Sequence, residues 1–363
     1  MVTVPMHTTD ATQACLLYCR AGMEGDCAAE IVERNAEVGV HGWCRTGDGY
    51  VEFTPVSPGD LTVVSKTIRF TSLVFPRQWC GLIARCDDLP ASGDRASPLA
   101  ATCSAHLQEY GELRIEHPDT PDGRPLSRLA RALREPMRAA LDRCGITARA
   151  GAATLHVFLL SGTRAWIGLS NPCNASVWPN GIPRLRVPPR APSRSLLKLD
   201  EALGLLLNDD ERAHWLAPGR RAVDLGAAPG GWTWLLAERG LQVDAIDNGD
   251  LAQNVREHPR VNHHRADGFT FRPRGRVDWL VCDMVERPQR IAGLTAEWLR
   301  EGRCHHAMVN LKLPMKQRWP TVRDQLARIQ DALPAEGRIG ARQLYHDREE
   351  ITVFATRLPT PVK

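Results

Sequence analysis

Residues 222–240 read Ala-Val-Asp-Leu-Gly-Ala-Ala-Pro-Gly-Gly-Trp-Thr-Trp-Leu-Leu-Ala-Glu-Arg-Gly. A short apolar run leads at once into a glycine-rich turn, and a helical segment comes next and ends at Gly240. Glycines let the backbone turn sharply and approach a ligand closely, while the first turn of a helix offers unpaired N–H groups. The segment therefore predicts a strand, a ligand-binding loop and a helix in succession; the alternative is a tight turn without a ligand.

More short apolar runs continue this pattern along the C-terminal half of the chain, at residues 241–246, 261–265, 279–282 and 307–311. Helical or polar segments long enough to cross a sheet separate them. Strands that alternate with helices predict an α/β fold with a parallel sheet wound on both sides. Ligands of such sheets bind beyond the carboxyl ends of the strands.

The spacing of the loop separates two nucleotide cofactors. A nicotinamide site normally shows GxGxxG, whereas this loop reads GxxxGG. Asp247 ends the next apolar run, where a carboxylate can accept hydrogen bonds from two ribose hydroxyls. Asp267 and Asp283 come after the next two strands, and Asp267 is placed to hold the adenine edge. Together these features favour S-adenosylmethionine as the cofactor, held by Gly226, Ala228, Pro229, Gly230, Gly231, Asp247, Asp267 and Asp283.

The end of the fourth strand of the C-terminal half, Val281-Cys-Asp-Met284, indicates the acceptor atom. Enzymes that methylate exocyclic amines resemble one another in having two prolines and an aromatic residue after this Asp or Asn, and none is present here. A base amine is therefore disfavoured as acceptor. Cys282 lacks a neighbouring proline and lies in an apolar run, so we interpret it as core packing rather than as a nucleophile.

Four ionisable residues stand at the ends of separate elements, in the order Lys198, Asp283, Lys312 and Glu350. This order resembles the Lys-Asp-Lys-Glu tetrad of the RNA ribose 2′-O-methyltransferases related to the heat-shock rRNA methyltransferase. The chain also resembles the bacterial large-subunit rRNA methyltransferase M family over about residues 190–357, in DLGAAPGGWTW, VDWLVCDMVERP, NLKLPMKQRW and ARQLYHDREEITV. Ala228 stands where that family would lead us to expect Cys.

The resemblance implies transfer of a methyl group to a cytidine 2′-hydroxyl of 23S rRNA. It implies that Lys312 accepts the hydroxyl proton or orients the hydroxyl. Lys198 and partial burial would favour a neutral Lys312, whereas the two acids favour its ammonium form. Glu349 adjoins Glu350, and because neighbouring strand residues face opposite ways only one of them enters the site; we assign Glu350. Ser195 touches the cofactor by the same resemblance, or instead caps the helix that begins after it.

The N-terminal half mixes predicted strands at 14–19, 39–43, 61–65, 79–85 and 155–160 with helical segments at 27–35 and 126–144. That is an α+β pattern. The resembling family carries a ferredoxin-like segment joined to a THUMP RNA-binding domain in this half. We therefore predict a ferredoxin-like segment at 1–90, a THUMP-like domain at 91–170, a stiff proline- and arginine-rich linker at 171–190, and the methyltransferase domain at 191–363.

Arginines recur at steps of three and four between residues 124 and 138, opposite an apolar stripe, so they share one side of a helical segment. Pro136 should divide that segment into two shorter helices. Charge runs usually form a solvated face, but a strip of guanidinium groups also suits phosphate contact. We predict RNA binding by this arginine stripe, defined as Arg124, Arg128, Arg131, Arg134 and Arg138.

Composition bounds the setting: 363 residues, 43% hydrophobic and 24% charged, indicate an ordinary globular protein with two or more domains. No run is apolar enough for a membrane helix, and the N-terminus lacks the pattern of a signal peptide. The 11 cysteines form no CxxC pair, and Cys304-His305-His306 has no second cluster at finger-like spacing.

We therefore expect reduced thiols, no metal and a cytoplasmic monomer whose partner is 23S rRNA, naked or in an early large-subunit precursor. Two alternatives stay open. The enzyme could act on a tRNA or cap ribose, or the fold could serve a non-catalytic RNA-binding protein.

Overall fold

The computed structural model describes residues 13–361, so the first twelve residues, where we expect no signal peptide, lie outside the described part. The chain divides into two compact units, residues 1–183 and 184–363. The division falls inside the predicted 171–190 linker. Within residues 13–361, no helix is both long and apolar enough to cross a lipid bilayer.

The first unit is built on one mixed sheet of seven strands, in the order β2-β3-β1-β4-β9-β8-β6, and a two-stranded sheet, β5-β7. Its strands are β1 (Ala14–Tyr18), β2 (Gly42–Gly47), β3 (Tyr50–Pro55), β4 (Gln78–Cys86), β5 (Glu109–Tyr110), β6 (Leu113–Glu116), β7 (Thr147–Ala148), β8 (Thr154–Leu159) and β9 (Ala165–Ser170). Its α-helices are α1 (Glu24–Glu37), α2 (Asp60–Thr67), α3 (Ala96–Ser104), α4 (Leu126–Ala132) and α5 (Arg134–Arg143).

Two faces of this seven-stranded sheet carry separate apolar cores. Alternate strand residues such as Ile83 and Ile167 pack with α3 and α5, while Leu82 and Trp166 belong to a second cluster. The sheet continues without a break from β4 to β9, across the residue 90/91 boundary that we predicted. The ferredoxin-like and THUMP-like boundaries therefore stay predictions.

One predicted strand of this unit is wrong: residues 61–65 lie in helix α2. The β-branched run there favours a strand, but the buried positions are Leu61, Val64 and Ile68, and Val63 is exposed. That spacing of three and four gives a helix one buried face, so tertiary packing overrides the local preference. The predicted 126–144 helix is broken as expected, with Pro136 in the first turn of α5.

The second unit begins with two helices, α6 (Leu196–Leu206) and α7 (Asp209–Trp215). Then come β10 (Arg221–Leu225), α8 (Gly231–Glu238), β11 (Gln242–Ile246), α9 (Gln253–Arg256), β12 (Val261–His264), β13 (Val277–Cys282), α10 (Pro288–Arg300), β14 (Cys304–Lys312), α11 (Arg318–Gln330), β15 (Arg338–Arg342) and β16 (Glu350–Thr356). The seven strands lie in the order β12-β11-β10-β13-β14-β16-β15.

This sheet is covered on both faces, as an α/β fold predicts. Helices α6, α7 and α8 share a core with strand residues such as Val281. The side chain of Leu280 points to the opposite face of β13 and is equally buried, and on the neighbouring strand β14 the contacting helix is α10. The five strands predicted from the sequence, β10 to β14, pair in parallel as expected, whereas β16 runs antiparallel to both β14 and β15. The antiparallel register sets Glu350 directly opposite Lys312.

Candidate active site

Four charged residues meet at the carboxyl edge of the second sheet, and we call them the charged tetrad. Lys198 lies in the first turn of α6, Asp283 comes directly after β13, Lys312 ends β14 and Glu350 begins β16. Three of these positions are ends of strands that neighbour each other in the sheet. The sheet topology therefore brings together residues that are up to 152 apart in the sequence.

Each ammonium group of the charged tetrad contacts both carboxylates. Lys198 Nζ lies 3.1 Å from Asp283 Oδ2 and 2.7 Å from Glu350 Oε1. Lys312 Nζ lies 3.4 Å from Asp283 Oδ1 and also contacts Glu350 Oε2. The two positive and two negative charges balance, so the cluster satisfies its own charges and holds each side chain in place.

Burial differs across the charged tetrad. The Glu350 side chain is 4% exposed, whereas Lys312 is 27% exposed and the most accessible of the four. Burial would raise the pKa of Glu350, but hydrogen bonds from Lys198 and Lys312 outweigh it and lower that pKa. Burial would lower the pKa of Lys198, but the Asp283 charge and the Glu350 hydrogen bond raise it. Glu350 and Lys198 are therefore ionised at neutral pH, and Lys312 is the member an acceptor reaches most easily.

Asn310 completes the cluster, although sequence reasoning did not single it out. Its Nδ2 donates to Asp283 Oδ1 at 2.7 Å, and its Oδ1 accepts from Thr352 Oγ1 at 2.6 Å. Asn310 is fully buried, so these bonds fix the Asp283 carboxylate through a stiff chain of partners. The available signal was strand alternation, since Asn310 lies two residues before Lys312 and so faces the same side of β14.

The structure also separates the two adjacent glutamates. Glu349 is 65% exposed and pairs with Arg318 at 3.4 Å, whereas Glu350 is buried among the lysines. Alternation along the strand turns neighbouring side chains to opposite faces. The choice of Glu350 over Glu349 therefore agrees with the geometry.

Glycines of the loop after β10 are required by close approaches. Gly226 has φ +77°, and a Cβ there would lie 2.3 Å from Met284 Cγ. A Cβ on Gly231 would lie 2.3 Å from Ser195 Oγ. At either position a Cβ would force the contacting side chain or the loop itself to shift, so glycine permits the close packing at both positions.

The acid after β11 is anchored by the loop itself. Asp247 Oδ2 accepts from the Ala228 N–H at 2.9 Å, and Oδ1 accepts from the Gly249 N–H at 2.7 Å. A carboxylate oxygen has a second lone pair, so both oxygens still have acceptor capacity for ribose hydroxyls. The acceptor oxygens of Asp247 and their position therefore fit the ribose of the adenosyl cofactor expected here.

The remaining predicted cofactor residues border the same loops. Asp267 is exposed, and its Oδ1 accepts from the Phe269 N–H at 2.9 Å. Ser195 makes no capping bond to α6; its hydroxyl is bonded to the Ser193 hydroxyl at 2.6 Å. The helix-cap alternative is thus not what the geometry shows. Pro229 and Gly230 lie at the bend that leads into α8.

Asp224, beneath the loop, is a titratable group that sequence reasoning did not discuss. It is 1% exposed, and its Oδ2 accepts from Thr233 Oγ1 at 2.6 Å. Burial is the main cause that raises its pKa to about 7. The folded protein therefore holds a proton on Asp224 that the unfolded chain releases near pH 4.

We expect this proton to make stability depend on pH. Because the folded-state pKa is raised, the contribution is fully present below about pH 4 and is lost as pH rises through about 7, by roughly 4 kcal/mol at most. Asp224→Asn keeps an acceptor for Thr233 but cannot ionise, so it should gain stability relative to wild type as pH rises. Urea unfolding of both proteins at pH 5 and pH 8 measures this; an equal difference at both pH values would contradict it.

Two cysteines and a histidine that the sequence analysis considered as a nucleophile or metal ligands lie in the core. Cys282 is 1% exposed, and burial raises its pKa to about 12, which suits packing rather than nucleophilic chemistry. Cys304 is buried too. His306 lies 4.3 Å from the Trp215 ring and is hydrogen-bonded to Thr356 at 2.9 Å, and burial lowers its pKa to about 3. Within the described part of the chain, no three His, Cys, Asp or Glu side chains are grouped to hold a metal.

Family models match three successive parts of the chain. Residues 12–80 match the RlmM ferredoxin-like domain. Residues 94–171 match the model described as ribosomal RNA large subunit methyltransferase M, N-terminal. Residues 191–299 match the FtsJ-like methyltransferase model, which confirms the expected class I methyltransferase fold of the second unit. The THUMP domain stays a prediction.

Whole proteins are similar over nearly their full length. Ribosomal RNA large subunit methyltransferase M of Thauera aminoaromatica is 46% identical over 359 residues, 96% of this chain and 98% of the relative. The protein of that name from Azotobacter vinelandii is 46% identical over 356 residues, 95% of this chain and 99% of the relative. The solved structure of TrmN from Thermus thermophilus covers 95% of this chain and 100% of its own at 15% identity, but a TM-score of 0.34 supports no further comparison.

Proposed function

Because this chain belongs to the ribosomal RNA large subunit methyltransferase M family, and is therefore an S-adenosylmethionine-dependent methyltransferase, we propose that it methylates the 2′-hydroxyl of a cytidine in 23S rRNA. The observation that carries the proposal is the charged tetrad. Two lysines interlocked with two carboxylates form a rigid group in which Lys312 is the most exposed member. A ribose hydroxyl is a poor acid and needs such a group to orient it and take its proton.

The cofactor supplies an electrophilic methyl group on a sulfonium when bound. Lys312 would hold the 2′-hydroxyl in line with the methyl group that the bound cofactor supplies, and its amine would take up the proton that the hydroxyl loses. Lys198 holds both carboxylates in place, and its hydrogen bond favours the ionised form of Glu350. Asp283 and Glu350 stabilise the ammonium that Lys312 becomes.

The acceptor experiment uses labelled cofactor and 23S rRNA from cells that lack the protein. We expect label in 2′-O-methylcytidine of this rRNA, and none in tRNA or capped RNA. Label in tRNA or in a cap ribose would mean that the acceptor is that RNA and not 23S rRNA. Absence of label in every RNA, despite cofactor binding, would favour the non-catalytic RNA-binding protein instead.

For the first unit we propose a role in holding the RNA, through the arginine stripe. All five arginines are exposed on α4, α5 and the residues before them, while Leu133, Met137 and Leu141 are buried beneath. Arg138 pairs with Glu135 at 2.8 Å. Over residues 13–361, the other four guanidinium groups have no ion-pair partner, so their charge is available to phosphates.

Arg128→Ala with Arg131→Ala should raise KM for rRNA and leave kcat unchanged, because the stripe lies in the unit without the charged tetrad. The slope of log KM against log salt should fall by about 1.5, since each lost phosphate contact removes about 0.7 to 0.9. Arg300→Ala with Arg323→Ala, an exposed pair in the second unit, serves as the control. If the slope of log KM against log salt were unchanged in the stripe variant, the arginine stripe would not contact the RNA.

We propose that the first unit holds the RNA and that the second binds the cofactor and transfers the methyl group. A fragment of residues 184–363, which form a compact unit, tests this division. This fragment should bind the cofactor with nearly the affinity of the full chain. Its kcat/KM for rRNA should fall by about 100-fold or more, because RNA-positioning contacts are lost. Calorimetric cofactor binding and transfer assays measure the two quantities, and full activity of the fragment would refute the division.

We also propose that the enzyme works as a monomer in the cytoplasm, where rRNA is made, and that its substrate is 23S rRNA, naked or in an early large-subunit precursor. Comparing transfer to naked 23S rRNA with transfer to precursor and mature large subunits distinguishes these forms of the substrate.

A further inference from the structure

Two apolar side chains beside the charged tetrad are almost fully exposed. Val285 is 89% exposed and Met315 is 86% exposed. The next most exposed large apolar side chains in the described part of the chain, Val177 and Val56, reach 68% and 67%. Single exposed apolar residues are ordinary on protein surfaces. The two extremes, however, each lie within three residues after a member of the charged tetrad.

The topology places both residues at one edge of the sheet. Val285 lies two residues after Asp283, beyond β13, and Met315 lies three residues after Lys312, beyond β14. These strands are parallel neighbours, with Cys282 paired to Val309, so their loops leave the sheet side by side. Between Asp283 and Val285, Met284 turns back against the cofactor loop, where a Cβ on Gly226 would touch it. Val285 is therefore left facing water.

The loop that carries Met315 has a fixed shape. Leu313 is buried, and its N–H donates to the Glu349 carbonyl at 2.8 Å. Arg318 Nε donates to the Pro314 carbonyl at 3.2 Å. Gln317 adopts φ +58° and ψ +42°, a left-handed conformation that residues other than glycine rarely adopt and that concentrates at functional sites. Met315 is thus held outward by an anchored loop.

We propose that Val285 and Met315 hold the base of the acceptor nucleotide between them while its ribose lies at the charged tetrad. This inference rests on the proposed function. The base is attached to the ribose carbon next to the one that carries the 2′-hydroxyl, so a hydroxyl at Lys312 brings the base to these loops. Apolar side chains can pack against the two faces of a base that has left its stack.

Lys316 strengthens the assignment to a nucleotide. Its side chain is exposed and has no ion-pair partner within residues 13–361. A cation directly after Met315 is suited to the phosphate of the same nucleotide. Met315 and Lys316 therefore match the two surfaces of an unstacked nucleotide, which are the apolar face of the base and the charged phosphate.

The test measures kcat and KM for unmethylated 23S rRNA with the full chain carrying Val285→Ser and Met315→Ser together. We expect kcat/KM to fall about tenfold or more, because the base loses apolar contact, mainly through KM, with cofactor Kd unchanged. The conservative double variant Val285→Ile with Met315→Leu, which keeps both side chains apolar, should retain wild-type kcat/KM. Val56→Ser, a matched change at an exposed valine of the first unit, should have no effect.

Wild-type kcat/KM in the double serine variant would overturn the inference and leave the proposed function intact. A changed oligomeric state with unchanged kcat/KM would overturn it in favour of a protein partner. If the wild-type chain itself transfers no label to rRNA, the proposed function and this inference fall together.

Discussion

Replacing Lys312 with alanine should lower kcat for methyl transfer to rRNA by about 10³-fold, the middle to upper range for loss of a proton-transfer group. Lys312 ends β14, contacts both acids of the charged tetrad and is its most exposed member. The cofactor loops are formed by other residues, so the Kd for S-adenosylmethionine should change by less than about twofold. Single-turnover transfer and calorimetric binding give the two numbers.

Lys66→Ala is the matched control, because Lys66 is an exposed lysine of the first unit with no part in the charged tetrad. It should transfer methyl groups at the wild-type rate. If Lys312→Ala retained more than about a tenth of wild-type kcat, Lys312 would lose its assigned role, since general acid–base groups contribute about 10² or more.

Glu350→Gln should lower kcat by about 100-fold while the same change at Glu349 leaves it unaltered. Glu350 contacts both lysines from a position that is 4% exposed, whereas Glu349 is 65% exposed and pairs with Arg318. The amide removes one negative charge from a balanced buried cluster, so both lysines lose an ionic partner and Lys312 its orientation.

Transfer rates and thermal melting of the two glutamate variants, measured side by side, separate catalytic loss from unfolding. Equal rates for Glu350→Gln and Glu349→Gln would mean that the buried position has no special role. A larger loss of kcat in Glu349→Gln than in Glu350→Gln would mean that Glu349, and not Glu350, acts in the site.

Much of the second unit could be predicted from sequence because its buried strands are short apolar runs with a charged residue at their ends. Lys312 after residues 307–311 and Asp283 after residues 279–282 are examples. Ligands of a doubly wound sheet gather at that edge, so charge at a strand end is itself a signal. The geometry brings all four predicted members together, while their catalytic roles stay proposals.

Other features had no local signal. Asn310 looks like any polar residue in a strand until the pairing of β14 with β16 on one side and with β13 on the other places Thr352 and Asp283 beside it. The antiparallel direction of β16 depends on the connection through β15, which no apolar pattern encodes. Residues 61–65 were mistaken for a strand because β-branched residues favour strands locally, whereas their burial has a helical spacing.

The central claim, ribose methylation of 23S rRNA by the charged tetrad, is tested most directly by mass spectrometry of nucleosides from that rRNA. The rRNA would come from cells that lack the protein, complemented with wild type, with Lys312→Ala, or with nothing. We predict that one 2′-O-methylcytidine is absent without the protein, returns with wild type and does not return with Lys312→Ala. An unchanged amount of 2′-O-methylcytidine in all three samples, or a change confined to a base-methylated nucleoside, would contradict the account.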